Sequence, residues 1–439
     1  MAAGSEASSA AAARRRVRWV ALVFLAPALV ILGALVVYPI FYTLVRSFYD
    51  RAGDTLVGAR NYKDMLTSSS TLTAIKNNII WVIVAPSVIT ALGLVFAVMV
   101  ERVKWSTAFK VAVFMPMAIS FLSTGVIWRL VYDANPQVGL ANALIQGTVD
   151  VFRPPGPFPG ARPSDTELLK PQGKGYASGT TFSPGQTAQL GLVAIPPDMI
   201  PADAEPAKAP APGGPDTITG VVWLDFTSGG GGEKGVVDPT EKGLPGVTVQ
   251  AVSGGDVVGS ATSGPDGSFT LTGLNGAGTY SLALPDSDFR EPYGGVQWLG
   301  PLLVTPSIIV AYIWIWAGFA MIVIGAGLAA IPREVLEASR VDGANEWWVF
   351  RRVTVPLLAP VIAVVFVTLV INVLKIFDLV LVLAPGSVQD NANVIALEMW
   401  RQSFGSAQNQ GLGSALAIFL FVLVLPAMAF NIRRFRREA

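Results

Sequence analysis

The chain contains no cysteine and no histidine. The first absence excludes disulfides and thiolate metal sites. The second removes the commonest general base and the commonest metal ligand. Charge is scarce as well: Asp, Glu, Lys and Arg together make up 14% of the 439 residues, against about a quarter in ordinary soluble domains. A net charge of +1 leaves no strongly basic face for nucleic acid. No GxxxxGK[ST] loop occurs; GGGGEKGVV and PQGKGYA lack its spacing and the Ser or Thr that would hold magnesium. Asp133 and Asp378 are isolated carboxylates by sequence, and no catalytic constellation is legible, so the chain is not expected to be an enzyme.

What the chain has in abundance is apolar sequence: 52% of residues are hydrophobic and the mean hydropathy is +0.53. Six stretches approach or exceed the roughly 20 residues that cross a bilayer: Trp19 to Phe48, Asn78 to Val100, Ala108 to Tyr132, Pro301 to Ile331, Leu357 to Ala384 and Gly411 to Phe430. Basic residues mark alternate ends of these stretches. Arg14, Arg15, Arg16 and Arg18 precede the first, and Arg102 and Lys104 follow the second. Arg333, Arg340, Arg351 and Arg352 follow the fourth, and Arg433, Arg434, Arg436 and Arg437 follow the sixth. The positive-inside rule places all four groups in the cytoplasm. Both termini are then cytoplasmic and residues 134–300 extracytoplasmic, in a multi-pass protein of the plasma membrane.

The outer segment divides by composition. Residues 147–215 are rich in Pro, Gly and Ala and read as an extended linker. Residues 216–292 hold short β-type runs, ITGVVWLDF, GVTVQAV, GSFTLTGL and TYSLALP, with GGD and GPDG as turns. The expected fold is an all-α polytopic membrane protein of six transmembrane helices with an inserted extracytoplasmic β-sandwich. Its domains are a cytoplasmic tail 1–18, helices one to three in 19–146, the linker, the sandwich, and helices four to six in 297–435.

The loop before the fifth stretch, within 332–356, carries most information. Pro332 opens a helix whose first turns hold Glu334 and Glu337, suited to its positive end. Gly343 permits a sharp turn. A second short helix from Glu346 to Val353 presents Trp347, Trp348 and Phe350, and Pro356 is expected to end it. An amphipathic helix lying on lipid headgroups would need neither the Gly turn nor this spacing.

This loop resembles the EAA motif of the permease subunits of ABC importers, in its sugar-transport form. Glu337, Ala338, Asp342, Gly343, Ala344, Phe350, Pro356 and Pro360 stand where that motif expects them, and Ser339 replaces its second Ala. Residues of about 17–147 and 297–435 are similar to the family; the inserted region falls outside it. The resemblance implies the permease fold of maltose- and α-glucoside-type importers. It implies a loop that couples to a separate ATPase holding ATP and Mg, with no cofactor or metal in this chain. The implied partners are a second permease, two ATPase copies, an extracytoplasmic sugar-binding protein and the lipid bilayer. In maltose-type permeases the fifth helix contacts sugar.

Asn372, Lys375 and Asp378 are polar residues of that fifth stretch, where polar groups default to functional hypotheses. Lys375 and Asp378, three apart, are expected on one helix face, as a substrate contact or as a packing pair. Tyr312 and Trp316 share a face of the fourth stretch and are candidates to stack on a sugar ring, or else interface anchors. The inserted sandwich resembles repeat modules of Gram-positive surface adhesins. Asp225, Asp238 and Glu241 partly match the calcium loop of such modules, but SGGGGEKG supplies few oxygens for an ion that takes six to eight, which favours a structural loop. An alternative function follows from this module, a membrane-anchored surface protein acting through the outer domain. It leaves the EAA-like loop unexplained.

Overall fold

The structure, a computed structural model, describes residues 21, 23–100, 103–227, 229–230 and 232–438, with side chains described up to 429 except 427. The tail 1–18, Trp19 and Arg102 lie outside the described residues. The chain divides into two compact units, Met1–Tyr132 with Gln297–Ala439, and Asp133–Val296.

The first unit begins with helix α1, Val23–Arg46, whose apolar window is wholly unburied and which contains a π-turn at Gly33–Val37. Helix α2 (Arg60–Thr67) leads into α3 (Ser69–Val100), then α4 (Ser106–Phe114) and α5 (Phe121–Val131). The third expected span is therefore not one straight helix. Pro116 sits in a 3₁₀ turn after α4, Ser120 is extended, and its hydroxyl accepts the Ser123 N–H to start α5 afresh. The helix axis bends by 104° between the two halves. Proline removes the backbone donor that a continuous helix needs there, and the Ser cap satisfies an orphan donor of the new one.

The second unit starts with α6 (Leu140–Phe152). Strands β1 (Arg162–Pro163), β2 (Leu169–Gln172), β3 (Gly175–Phe182), β4 (Thr187–Val193), β5 (Ile218–Leu224), β6 (Thr248–Ser253), β7 (Asp256–Thr262), β8 (Ser268–Leu271) and β9 (Tyr280–Leu284) follow, then the short α7 (Asp286–Phe289). They form two sheets, β1-β4-β5-β8 and β2-β3-β9-β6-β7. Leu190, Val222 and Phe269 of the first share one core with Leu169, Val249 and Leu282 of the second. All pairs are antiparallel except β4 with β5.

That pairing corrects the reading of 147–215 as a linker. The stretch carries the end of α6 and β1 to β4, all within the folded unit. TAQLGLV alternates, burying Ala188, Leu190 and Leu192, but its Gly, Pro and Thr-rich surroundings hide the period. The Pro- and Ala-rich segment 194–217 is the crossover that a parallel pair requires. Near the unit's two chain ends, Asn142 is fully buried. Its Nδ2 donates to the carbonyls of Asp133 (2.8 Å) and Val296 (3.0 Å), and its Oδ1 accepts the Val296 N–H (2.8 Å).

The first unit resumes with α8 (Val304–Ala329), α9 (Arg333–Val341), α10 (Glu346–Val349), α11 (Val355–Leu374), α12 (Asp378–Leu383), α13 (Ile395–Phe404) and α14 (Gln410–Glu438). Among the described residues four helices are long and apolar enough to cross a membrane, five if the bent pair counts as one, and Gln410–Pro426 is a shorter apolar helix. The core lies between α3, α8, α11 and α12, where Trp81 meets Tyr312 edge-on at 5.4 Å. Gly318 lets α8 approach the backbone of α4: a Cβ there would collide with Val113 and Phe114.

Two further expectations change. Pro356 does not end the second short helix. A π-turn at Phe350–Thr354 joins α10 to α11, with Val355 N–H bonded to Phe350 O, and Pro356 sits in the first turn of α11. Proline is tolerated there, and the wide turn shifts the hydrogen-bond register before the ring. The fifth stretch is also interrupted, since α11 ends at Leu374 and Phe377 (φ −142°, ψ −63°) precedes α12. Lys375 and Asp378 thus do not share one helical face, and no ion pair joins them among the described residues.

Candidate functional site

Two features of the membrane unit gather the residues singled out by sequence. The first is the knob formed by α9 and α10. Gly343 has φ +84°, a left-handed conformation that side-chain-bearing residues rarely adopt. Asn345 caps α10 by accepting the Trp348 N–H at 2.8 Å. Arg340 Nε meets Glu346 Oε1 at 3.0 Å across the turn. Glu337, Ala338, Asp342, Gly343 and Pro356 are exposed, while Ala344 and Phe350 are half-buried, Phe350 lying 5.5 Å from the ring of Trp347. Val341 and Trp347 are 87% and 66% exposed, so the knob offers an apolar surface on a rigid turn. Beneath it a cavity of about 430 Å³ is lined by Val95, Met99, Leu328, Arg340 and Phe350 among others. The knob therefore rests on the ends of α3 and α8.

The second feature is a cavity of about 230 Å³ lined by Tyr312 and Trp316 of α8, by Asn372, Lys375 and Asp378 around the interruption after α11, and by Phe121 and Phe377. All five residues named from sequence for this role meet here. Phe121 stacks on Tyr312 at 6.5 Å and Trp316 lies 5.9 Å from it. The Tyr312 hydroxyl and Trp316 indole N–H are buried without a protein partner. A buried donor left unpaired costs roughly 1–3 kcal/mol. Asn372 Nδ2 bonds back to Thr368 O at 2.9 Å. Trp314, outside this cavity, packs instead on Trp128 at 5.8 Å. Phe121 and Phe377 carry no functional signal in the sequence; Phe121 opens α5 and Phe377 caps α12, each after an interruption of the helix, and only the Pro116–Ser120 run announces one of these interruptions.

In the sandwich, the three acidic residues weighed as calcium ligands organise their own loop. Asp225 Oδ2 accepts the Gly235 N–H at 2.8 Å and Asp238 Oδ2 that of Glu233 at 3.1 Å. Glu241, 2% exposed, accepts the Trp223 indole N–H (2.9 Å) and the Asp238 N–H (3.0 Å) on Oε2. Among the described residues no three acidic side chains converge as a metal-ligand set. Burial raises the pKa of Glu241 above 4.5; Asp225 and Asp238 add to the rise, and the two hydrogen bonds oppose it. Because the folded state holds this proton more tightly than the unfolded chain, stability is greatest below the unfolded value and falls as pH rises through the raised one. Glu241→Gln is expected to flatten the decline in the sandwich's denaturation midpoint between acid and neutral pH. An unaltered pH dependence in the variant would refute this assignment. Asp288, raised by burial, contributes with the same sign, and Asp266, lowered by the Ser268 hydroxyl, with the opposite one.

Comparison with known proteins places these features in a family. The profile of the binding-protein-dependent transport system inner membrane component matches residues 267–435. The alpha-glucoside transport system permease protein AglF of Rhizobium meliloti (strain 1021) is 27% identical over 420 residues, covering 95% of this chain and 82% of that one. ORF1 of Caldicellulosiruptor sp. (strain Rt8B.4), which carries the name of an ABC transporter permease, is 33% identical over 124 residues, 28% of this chain and 88% of that one. A crystal structure of a bacterial alginate ABC transporter, in complex with a periplasmic protein bound to alginate pentasaccharide, has a chain of the same fold. That chain matches with TM-score 0.55 and 16% identity, covering 96% of each. The chain is a member of the binding-protein-dependent transport system inner membrane component family, the multi-pass permeases of ABC transporters.

Proposed function

We propose that the chain is the permease of an ATP-driven importer that moves a sugar, an α-glucoside or oligosaccharide, into the cytoplasm by alternating access. Six spans, with the bent α4–α5 pair as the third and α14 as the sixth, would place both termini in the cytoplasm and residues 134–300 outside. A second permease, two ATPase subunits that hold ATP and Mg, and an extracytoplasmic binding protein would complete the assembly. The observation that carries this reading is the cavity. It combines aromatic faces with the buried donors of Tyr312 and Trp316 and the polar groups of Asn372, Lys375 and Asp378. Sugars present apolar ring faces and hydroxyl oxygens together, and such a lining complements both. AglF carries the name of an α-glucoside permease, which supports the substrate class.

The knob at Glu337 to Pro356 would dock on an ATPase subunit through its exposed Val341 and Trp347, so that nucleotide-driven closure moves α8 and α11. ATP and loaded binding protein must both favour the outward state for the cycle to run. Trp316→Ala is expected to raise the half-saturating sugar concentration for uptake by the reconstituted complex about tenfold, equivalent to about 1.4 kcal/mol. Unchanged uptake kinetics in the assembled variant would remove the cavity from the substrate path.

A further inference from the structure

Glu398 is a carboxylate 2% exposed, in the first turn of α13, and takes no part in the cavity or the knob. Its Oε2 accepts from Ser70 Oγ (2.7 Å) and Asn393 Nδ2 (2.6 Å), and its Oε1 from Gln402 Nε2 (2.8 Å). Among the described residues none of its partners is a cation. Ser70 lies in the first turn of α3, so the amino ends of α3 and α13 both face the carboxylate, where helix dipoles favour negative charge. The same stretch of α3 grips the chain just before α13. Asn77 Nδ2 donates to the carbonyls of Asn391 and Asn393, both at 2.8 Å, and Asn78 Oδ1 accepts the Ile395 N–H at 2.8 Å.

This clasp secures the far end of the segment that walls the cavity. That segment leaves α11 at the Lys375–Phe377 interruption, runs through α12 with Asp378 and Leu379 on the cavity, and reaches α3 at Asn391. Its middle is held by Arg129 of α5, whose guanidinium donates to the carbonyls of Leu383 and Ala384, each at 3.4 Å. A carboxylate suits the hub because it only accepts, and all three facing groups donate. A glutamine would turn its own N–H₂ toward one of them.

We propose that Glu398 is a positioning residue for transport: through the clasp it sets where α12 stands, and so where Asp378 meets the cavity. The role in transport rests on the function proposed above, while the placement of α12 can be read without it. The chain has no cysteine, so a single Asp378→Cys reports on that wall through its reaction rate with a small thiol reagent. In the full chain in nanodiscs, adding Glu398→Ala is expected to change that rate at least severalfold, while a Val258→Cys reporter on β7 reacts at its former rate. An unchanged Asp378→Cys rate overturns the proposal, whatever substrate the importer carries. Should Glu398→Ala fail to fold, Glu398→Gln and Ser70→Ala replace it, since each is a milder change: the first sets one N–H₂ against a donor, and the second removes the Ser70 hydroxyl that donates to Glu398 (2.7 Å) and accepts from Asn393 (3.1 Å). Unaltered labelling in both is equally fatal. In the assembled importer, the same variants are expected to shift half-saturation or maximal uptake with the melting temperature kept, whereas a mere fold fastener would lower melting temperature alone. Failure of sugar uptake in the unmodified complex would count against the proposed function and leave the labelling result standing.

Discussion

Gly343→Pro is expected to lower sugar uptake about a hundredfold while the chain remains in the membrane. Proline fixes φ near −65° and has no N–H. Gly343 needs φ +84°, and its N–H donates to Arg340 O at 3.0 Å. The substitution therefore breaks both the turn and the bond that closes α9. The cost is about 3 kcal/mol or more, which as a loss of the docking-competent knob corresponds to about a hundredfold. Uptake and substrate-stimulated ATP hydrolysis by the reconstituted complex measure the effect. The Gly343 turn is remote from the 230 Å³ cavity, whose lining comes from other elements, so sugar protection of a cavity cysteine should persist. Wild-type uptake in Gly343→Pro would remove the knob from the coupling path.

Trp223→Ala is expected to be the most damaging single change in the sandwich. The side chain is fully buried, and truncating a buried aromatic to alanine costs about 3–5 kcal/mol. Its indole also satisfies Glu241 at 2.9 Å, so the variant leaves a buried carboxylate short of a donor beside Asp225 and Asp238. Trp223→Phe restores most of the volume and not the donor, which separates the two contributions. Chemical denaturation of the full chain, followed by the β-sheet signal, gives both values. A loss below about 1 kcal/mol for Trp223→Ala would mean the site collapses around the cavity far better than buried aromatic sites usually do.

The legible parts of this chain were those where chemistry and spacing coincide. The turn at Gly343 followed from one glycine between two helix signals. The cavity residues followed from polarity out of place in apolar stretches, because such groups are costly in lipid and few. The bend at Pro116 and Ser120 was available in the sequence but hidden by the length of the apolar run. The interruption at Lys375 to Phe377 has no glycine or proline to announce it, and it alters how Lys375 and Asp378 relate. Strands β2 to β4 were concealed by their Gly, Pro and Thr content, and the parallel β4–β5 pair depends on a long-range partner that no local pattern encodes. Nothing in the sequence marks Glu398, because one of its donors lies more than 300 residues away at Ser70, while the others are nearby at Asn393 and Gln402.

Asn142 has a consequence for how such a chain can change over generations. By binding Asp133 and Val296 at once, it brings the entry and exit of the second unit to one point. On the membrane side, Tyr132 and Trp298 are likewise neighbours, their rings 5.8 Å apart. A segment with adjoining ends can be gained, lengthened or exchanged through a short junction without redirecting the helices on either side. The unit 133–296 is thus a heritable module, free to diverge while the permease that carries it keeps its own constraints.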